Sequence, residues 1–362
     1  MDQTRGQRGR RVTAAATTEH PLWHVYRFIR FSALGATAIL PLLGAASVSP
    51  RPSVGLLCGL LAAALLFHCY AYVLNDVIDL PIDRCEPQRA TFPLVRGLVR
   101  PQHALAFALA QIPLLFALTA WLGGGASAQA ALAAALLLMA AYNLWGKRTP
   151  FPPLIDLAQG LGWAALVVYG AALVGTPTPL TGALAIFEVV FIMLINGVHG
   201  PLRDLANDLR CGARTTAILF GARPVAAEQQ DLKPQAPSVF IPPALTVYAL
   251  TLQLLLAGLL ALPLALDWLA LSPPTRLVAA LLSVGPALWG LWLLLRVRGT
   301  PDQASLLSGG MAHLVLTLSA PVGLLLLSVD GPARAALLAA LLLPLLPNAL
   351  SYRALAWVWK RS

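Results

Sequence analysis

Apolar runs of about 20 residues recur along nearly the whole of this sequence, and they limit its fold more than any other feature. A helix of that length crosses a hydrocarbon layer roughly 30 Å thick. Inside lipid the backbone must satisfy its own hydrogen bonds, and a helix does so within one segment. Only 11% of the residues are charged, against roughly a quarter in soluble domains. The sequence therefore excludes a soluble globular protein and predicts an all-α, polytopic transmembrane helical bundle.

The apolar runs can be placed as nine to ten spanning helices. Positively charged loops remain in the cytoplasm, and with the N-terminus inside, only Arg51, Arg276 and Arg334 of the 25 Lys and Arg residues fall outside. We therefore expect a multi-pass protein of the cell membrane, with both termini cytoplasmic and a central cavity opening to the cytoplasmic side. The predicted spans are 22–48, 53–77, 102–122, 126–146, 153–174, 181–202, 239–263, 276–297, 306–328 and 333–352.

The net charge of +10 does not indicate a nucleic-acid partner, because the basic residues are spread over the cytoplasmic loops, as membrane topology requires. The partner expected from composition is the lipid bilayer. Residues 1–20 are basic and polar without an apolar period, so they are predicted to form a disordered basic tail near the membrane surface. Residues 21–362 are predicted to form one membrane domain.

The first acidic motif is Asn75-Asp76-Val-Ile-Asp79-Leu-Pro-Ile-Asp83, at the predicted cytoplasmic end of the second helix. Its three aspartates have the spacing i, i+3 and i+7, which places them on one helix face. Pro81 is expected to kink the helix between Asp79 and Asp83. Three like charges on one stripe repel each other, whereas a Mg²⁺ site requires carboxylate oxygens together with substrate phosphates. The alternative is a solvated acidic helix end.

The second acidic motif lies at the end of the sixth helix, where Asp204 and Asp208 have the spacing i, i+4 and again share a face. Arginine guanidinium groups, which suit phosphate oxygens, accompany these carboxylates. The arginines are Arg203, Arg210 and Arg214. Two such clusters on the cytoplasmic side predict opposing walls of one cavity that binds a metal-bridged diphosphate.

The two motifs, N-D-x-x-D-x-x-x-D and D-x-x-x-D-x-x-x-G-x-x-T, resemble the signature motifs of the UbiA family of intramembrane prenyltransferases. The stretch Tyr142-Asn-Leu-Trp-Gly-Lys147-Arg148, followed by Gln159-Gly160, is similar to the family's pattern between the fourth and fifth helices. The resemblance covers roughly residues 22–225. One departure is Phe92, at a position where the family commonly has arginine, and Arg89 or Arg96 could supply the missing phosphate contact.

The resemblance implies that residues 21–362 form a UbiA-like transmembrane prenyltransferase domain. It would use Mg²⁺ to transfer an isoprenoid group from a prenyl diphosphate donor to an acceptor that the sequence does not identify. Five aspartates would be catalytic and would bind the metal: Asp76, Asp79, Asp83, Asp204 and Asp208. The predicted substrate-binding residues are Asn75, Arg30, Arg89, Tyr142, Lys147, Arg148, Asn196, His199 and Arg210.

Two other functions stay open at this point. A terpene cyclase on the same scaffold would quench the cation internally, and the altered loop at Phe92 keeps that alternative open. An ion-coupled transporter is the third candidate, although its acidic groups would be expected at the bilayer midplane. Glu188 is expected either to serve the acceptor or to be a neutral, internally bonded side chain. His313 is expected to pack, and Asp156 to be a helix-start acid favoured by the helix dipole.

Overall fold

The computed structural model describes residues 21–85, 89–225, 238–296 and 298–343. The predicted basic tail at residues 1–20, both chain termini and the second part of the tenth predicted span lie outside the described residues. In these ranges, nine helices are long and apolar enough to cross a membrane. The predicted multi-pass helical bundle is confirmed.

The helices are α1 (Pro21–Phe28), α2 (Leu34–Val48), α3 (Val54–Ile78), α4 (Leu80–Asp83), α5 (Pro101–Trp121), α6 (Ala126–Trp145), α7 (Pro152–Val174), α8 (Pro179–Leu194), α9 (Gly200–Arg210), α10 (Thr216–Leu219), α11 (Pro243–Ala265), α12 (Pro273–Arg296), α13 (Gln303–Leu325) and α14 (Gly331–Leu342). A short 3₁₀ turn at Phe31–Ala33 precedes α2, and a π-helical turn at Ile195–His199 joins α8 to α9. Between the sixth and seventh spans, β1 (Arg223–Val225) pairs antiparallel with β2 (Ser238–Phe240). This small sheet is an addition to the predicted helical fold.

The first predicted span, 22–48, is not one continuous helix, because the chain breaks at Arg30. This residue has φ 49° and ψ 47°, in the left-handed region that ends a right-handed helix. The His68 imidazole on α3 stabilises the break, since its Nε2 donates to the carbonyl oxygen of Ile29 at 2.8 Å. Its Nδ1 then accepts from the Thr37 hydroxyl at 2.9 Å. The break directs the Arg30 side chain toward the end of α3.

Helices α2 and α7 pack with their backbones in close approach at two glycines. A Cβ at Gly44 would collide with the carbonyl oxygen of Val167, and one at Gly170 would collide with that of Pro41. Such small residues let membrane helices gain dispersion and backbone contacts that larger side chains prevent. The α2–α7 pair is therefore a tightly packed centre of the bundle.

The sixth span is longer than the predicted 181–202 and extends from Pro179 to Arg210. The π-helical turn interrupts its regular hydrogen bonding just before α9. Pro201 lies in the first turn of α9 and has no N–H to donate to the preceding turn. The span continues past this point, and it carries the second acidic motif on α9 beyond the expected end of the helix.

Candidate functional site

A cavity of about 200 Å³ lies at the end of the bundle where α3, α6 and α9 finish and α7 begins. It is bounded by residues from all four helices and from the segments that follow α3 and α6. The structure places ten of the fourteen sequence-predicted site residues on its wall. They are Arg30, Asn75, Asp79, Asp83, Arg89, Tyr142, Lys147, Asn196, Asp204 and Asp208. Both acidic motifs thus border one cavity, on different helices.

Asp76 lies behind the first wall of this cavity and is only 6% exposed. The Arg30 guanidinium donates to both of its carboxylate oxygens, with Nε 3.3 Å from Oδ2 and Nη2 paired with Oδ1. Arg89 Nη1 lies 3.6 Å from Asp76 Oδ1 and 3.8 Å from Asp83 Oδ2. Asp76 therefore holds two guanidinium groups that themselves face the cavity.

Asp79 and Asp83 present the carboxylates of the first motif to the cavity. Helix α3 ends at Ile78, and α4 begins directly after Asp79 with Pro81 in its first turn, so the interruption lies close to the expected kink. Asn75 Nδ2 donates to Asp79 Oδ2 at 3.2 Å. Burial raises the pKa of both aspartates, and the nearby cations offset only part of that rise. A cation entering the cavity would stabilise their ionised forms.

The second wall carries Asp204 and Asp208 on α9. Arg203 binds Asp204 through two hydrogen bonds of 2.8 and 2.7 Å, and both residues keep contact with solvent. Lys147, after α6, lies 3.4 Å from Asp208 Oδ1. Burial lowers the pKa of Lys147, but Asp208 and Asp79 more than compensate and hold it above its usual value. The lysine therefore stays charged inside the cavity.

The loop that carries Lys147 is joined to the second motif by its backbone. The Lys147 carbonyl accepts a hydrogen bond of 3.1 Å from the backbone N–H of Arg214. Arg214 also lines the cavity. This hydrogen bond fixes the positions of the basic residues Lys147 and Arg214 relative to each other.

Asp156 and Gln159 on α7 belong to the cavity, although sequence reasoning did not assign them to the site. Asp156 was expected to be a helix-start acid, but it is buried and accepts a 2.5 Å hydrogen bond from Thr216 on α10. Gln159 Oε1 and Asn196 Nδ2 are buried, and neither atom has a hydrogen-bond partner in the described ranges. These two atoms can pair with a polar group of a bound molecule.

Three predicted substrate-binding residues do not line the cavity. Arg148 Nη1 donates to the Leu144 carbonyl, and Arg210 Nη2 donates to Asn207 Oδ1. His199 Nε2 lies 2.6 Å from His313 Nδ1, on the opposite side of its helix. Helical residues turn about 100° each, so His199, five before Asp204, and Arg210, two after Asp208, face away from these aspartates. The substrate-binding roles of these three residues stay predictions.

The donor set of the cavity fits a hard divalent cation. Among the described residues, no three His, Cys, Asp or Glu side chains converge closely enough to enclose a metal ion. Mg²⁺ does not require such a cage, because it is commonly held by one or two carboxylates together with substrate phosphates and water. Asp79, Asp83, Asp204 and Asp208 supply the carboxylates. The buried Nη1 of Arg89, which has no hydrogen-bond acceptor within the described part of the chain, could donate to an anion.

The sequence model of the UbiA prenyltransferase family matches residues 34–307. The chain is 34% identical over 166 residues to digeranylgeranylglyceryl phosphate synthase of Pyrococcus abyssi, covering 46% of this chain and 57% of that protein. It is 29% identical over 177 residues to 4-hydroxybenzoate octaprenyltransferase of Tolumonas auensis, covering 47% and 58%. The matches span somewhat more than half the length of these relatives.

Solved structures share the fold. One, from work on digeranylgeranylglyceryl phosphate synthase in membranes, aligns with a TM-score of 0.62 and 16% identity, over 85% of this chain and 98% of that one. A UbiA homolog from Archaeoglobus fulgidus bound to GPP and Mg²⁺ aligns with a TM-score of 0.58 and 15% identity, over 83% and 99%. The bundle described above is thus the fold of these proteins.

Proposed function

Because the chain belongs to the UbiA prenyltransferase family, we propose that it is a Mg²⁺-dependent intramembrane prenyltransferase. It would transfer an isoprenoid group from a prenyl diphosphate to a nucleophilic acceptor. The main observation in support of this proposal is that one cavity is lined by aspartates on two walls and by arginine and lysine side chains. The relatives from Pyrococcus abyssi and Tolumonas auensis are named digeranylgeranylglyceryl phosphate synthase and 4-hydroxybenzoate octaprenyltransferase, which supports the same reaction class.

The carboxylates and the basic side chains of the two walls would bind different parts of a metal-bridged diphosphate. Mg²⁺, when bound, supplies charge neutralisation for the departing diphosphate. Asp79 and Asp83 on one wall, and Asp204 and Asp208 on the other, are the residues that would hold it. Arg89 and Lys147 face the same space and can donate to phosphate oxygens. The remaining predicted ligand, Asp76, would act by positioning Arg30 and Arg89.

Aromatic and apolar side chains border the same cavity beside the charged walls. Tyr72, Tyr142 and Trp163 line it together with Met139. Their aromatic faces can stabilise an allylic cation once the carbon–oxygen bond has ionised, and they keep water from quenching it. The free polar atoms of Gln159 and Asn196 are available to the acceptor.

The loop at Phe92 supports transfer over the cyclase alternative. The Arg89 guanidinium stacks on the Phe92 ring, 4.9 Å from its centroid, and extends to Asp76 and Asp83. This chain has phenylalanine at position 92, where the family commonly has arginine, but the Arg89 guanidinium lies against the first motif instead. This contact removes the main reason that the sequence offered for a cyclase. A transporter is disfavoured because the carboxylates cluster at helix ends beside cations.

The proposed setting is the cell membrane, with both termini cytoplasmic and the cavity opening to the cytoplasm. The cavity lies at the ends of the second, fourth and sixth spans. The predicted loops at those ends carry 11 of the 25 Lys and Arg residues, whereas the loops at the opposite ends of the same spans carry one, Arg51. The lipid bilayer is the partner, and no nucleic acid is involved. Labelling of single cysteines introduced near each terminus in intact cells would contradict this orientation if either terminus reacted from outside.

The deciding experiment uses the purified full chain with prenyl diphosphates of several lengths, with and without candidate acceptors. We expect a prenylated acceptor in Mg²⁺ and none after chelation. Asp208→Asn should abolish the product, whereas Asp267→Asn should not, because Asp267 is exposed and pairs with Arg276 away from the cavity. Cyclic hydrocarbon formed from the diphosphate alone would favour the cyclase, and a failure of all the diphosphates to react would overturn the proposal.

A further inference from the structure

A second, smaller cavity lies behind α9 and is lined by the neighbouring ends of α11, α12 and α13. In the described ranges it shares no lining residue with the aspartate cavity. Its walls are mainly aliphatic and include Ile241, Leu245, Ala249, Leu293, Leu294 and Leu306.

A chain of hydrogen bonds runs from this cavity into the bundle. Gln253 Nε2 donates to the Ala287 carbonyl at 2.7 Å, so Gln253 Oε1 is left as an acceptor. It accepts from His313 Nε2 at 2.9 Å. In a neutral imidazole one nitrogen donates and the other accepts, so His313 Nδ1 accepts from His199 Nε2 at 2.6 Å. The backbone carbonyl at one end thus fixes the direction of every bond in the chain.

The direction of this chain leaves His199 Nδ1 as an acceptor at the edge of the cavity. Within the part of the chain that the structure describes, the hydrogen bond of His199 is the one from Nε2 to His313, and no donor reaches Nδ1. Gly310 on α13 provides the room beside it, because a Cβ at that position would lie 3.2 Å from His199 Nδ1. The hydroxyl of the neighbouring Thr246 donates to the Pro242 carbonyl at 3.4 Å and does not fill the position.

We propose that this cavity binds an apolar molecule that carries one hydroxyl group, and that the hydroxyl donates to His199 Nδ1. An anion such as diphosphate is excluded by the acceptor character of the nitrogen and by aliphatic walls that would desolvate its charge. An ether or a ketone lacks the donor that the nitrogen requires. The site is independent of the proposed transferase activity, since it uses a different cavity.

An isoprenoid alcohol and an alkylated phenol are two kinds of apolar molecule that carry such a hydroxyl. Both would make the same hydrogen bond and bury a hydrocarbon body against α11 and α12. Farnesol and 4-butylphenol are suitable probes for the two sources. Farnesyl methyl ether is the matched control, because it keeps the hydrocarbon chain and removes the donor.

The test measures binding of these probes to the purified full chain in detergent. At least one of the two hydroxyl probes should bind, and its methyl ether should bind about three- to tenfold more weakly, the value of one net hydrogen bond. The hydroxyl probe with the higher affinity then shows whether the cavity prefers an isoprenoid alcohol or an alkylated phenol. Equal affinity of the alcohol or phenol and its ether would overturn the hydrogen bond to His199.

A pair of glycine variants places the binding in this cavity. Gly310→Ala adds a methyl group 3.2 Å from His199 Nδ1. This variant should lower the affinity for the hydroxyl probe about three- to tenfold. Gly285→Ala is the matched control on α12, because a Cβ there meets nothing within 4 Å. Unchanged affinity in Gly310→Ala would overturn the proposal.

Photolabelling gives a readout that requires no variant. A diazirine analogue of the bound probe should label Leu245, Leu294 or Leu306 when the unaltered protein is digested and its peptides are mapped. Labelling confined to Tyr72 and Trp163 would place the probe in the aspartate cavity and overturn the second site.

Discussion

Asp76 and Asp204 lie in equivalent motifs, but the structure predicts that their removal has different effects on stability. Asp76 pairs with Arg30, and the two side chains are only 8% and 16% exposed. Asp204 pairs with Arg203, and these side chains are 27% and 47% exposed. Removal of one partner from a buried ion pair costs about 3–5 kcal/mol, because the other charge stays buried and unpaired. An exposed pair contributes about 0–1 kcal/mol.

We expect Asp76→Ala to lower the free energy of unfolding by about 2–4 kcal/mol, somewhat less than for a fully buried pair, because Arg30 keeps some solvent contact. Asp204→Ala should lower it by at most about 1 kcal/mol. Both variants should lower turnover by about 10²–10³-fold or more, since each removes charge stabilisation at the diphosphate site. The difference in stability between the two variants follows from the burial of the Arg30–Asp76 pair.

The measurement is a denaturant titration of each variant in detergent, together with its turnover number. Adding Arg30→Met to Asp76→Ala should recover most of the lost stability, because no unpaired charge is then buried. It should not restore turnover. Equal destabilisation by Asp76→Ala and Asp204→Ala, or no recovery in the double variant, would refute the reasoning from burial.

Three further predictions concern pH, the break before α2 and helix packing. Burial raises the pKa of Asp79 and Asp83, so the folded state holds their protons more tightly than the unfolded state does. The stability of the metal-free fold should therefore fall as pH rises from about 4, the ordinary pKa of aspartate, through the raised pKa values of these two groups. Thermal unfolding with and without Mg²⁺ should show the metal's stabilisation growing over the same range. His68→Leu should cost about 1–3 kcal/mol by leaving a buried carbonyl unpaired, and it should reduce turnover in the same preparation. Gly170→Ala should cost about 1–3 kcal/mol or more through overpacking, whereas Gly182→Ala, with nothing within 4 Å, should be neutral in the same unfolding assay.

The spans were predictable because lipid imposes a local rule on every membrane helix. The fifth was expected at residues 153–174 and is Pro152–Val174, and the fourth was expected at 126–146 and is Ala126–Trp145. The break at Arg30 was not predictable, since it depends on an ion pair and a histidine contributed by α3. Contacts between distant segments leave no local signal in one sequence.

The same distinction applies to the candidate site. The spacing of the aspartates predicted which of them share a face, and Asp79, Asp83, Asp204 and Asp208 do border one cavity. Asp156 was missed because its partner Thr216 is 60 residues away in the sequence. A helical-angle argument from Asp204 places His199 on a different face of its helix, where it contacts His313. The metal and substrate roles of all these residues stay predictions.

The position of Asp76 behind the cavity wall separates its role from that of Asp79. Both oxygens of Asp76 accept from Arg30, so metal binding there would have to displace a guanidinium. Asp79 faces the cavity and has one oxygen bonded to Asn75. We therefore expect Asp79→Asn to raise the Mg²⁺ concentration that gives half-maximal turnover by about tenfold, the loss expected for about 1.4 kcal/mol of binding. Asp76→Asn should lower turnover at saturating Mg²⁺ and leave that concentration unchanged, and a shift of the Mg²⁺ titration by Asp76→Asn as large as that by Asp79→Asn would show that Asp76 is itself a metal ligand.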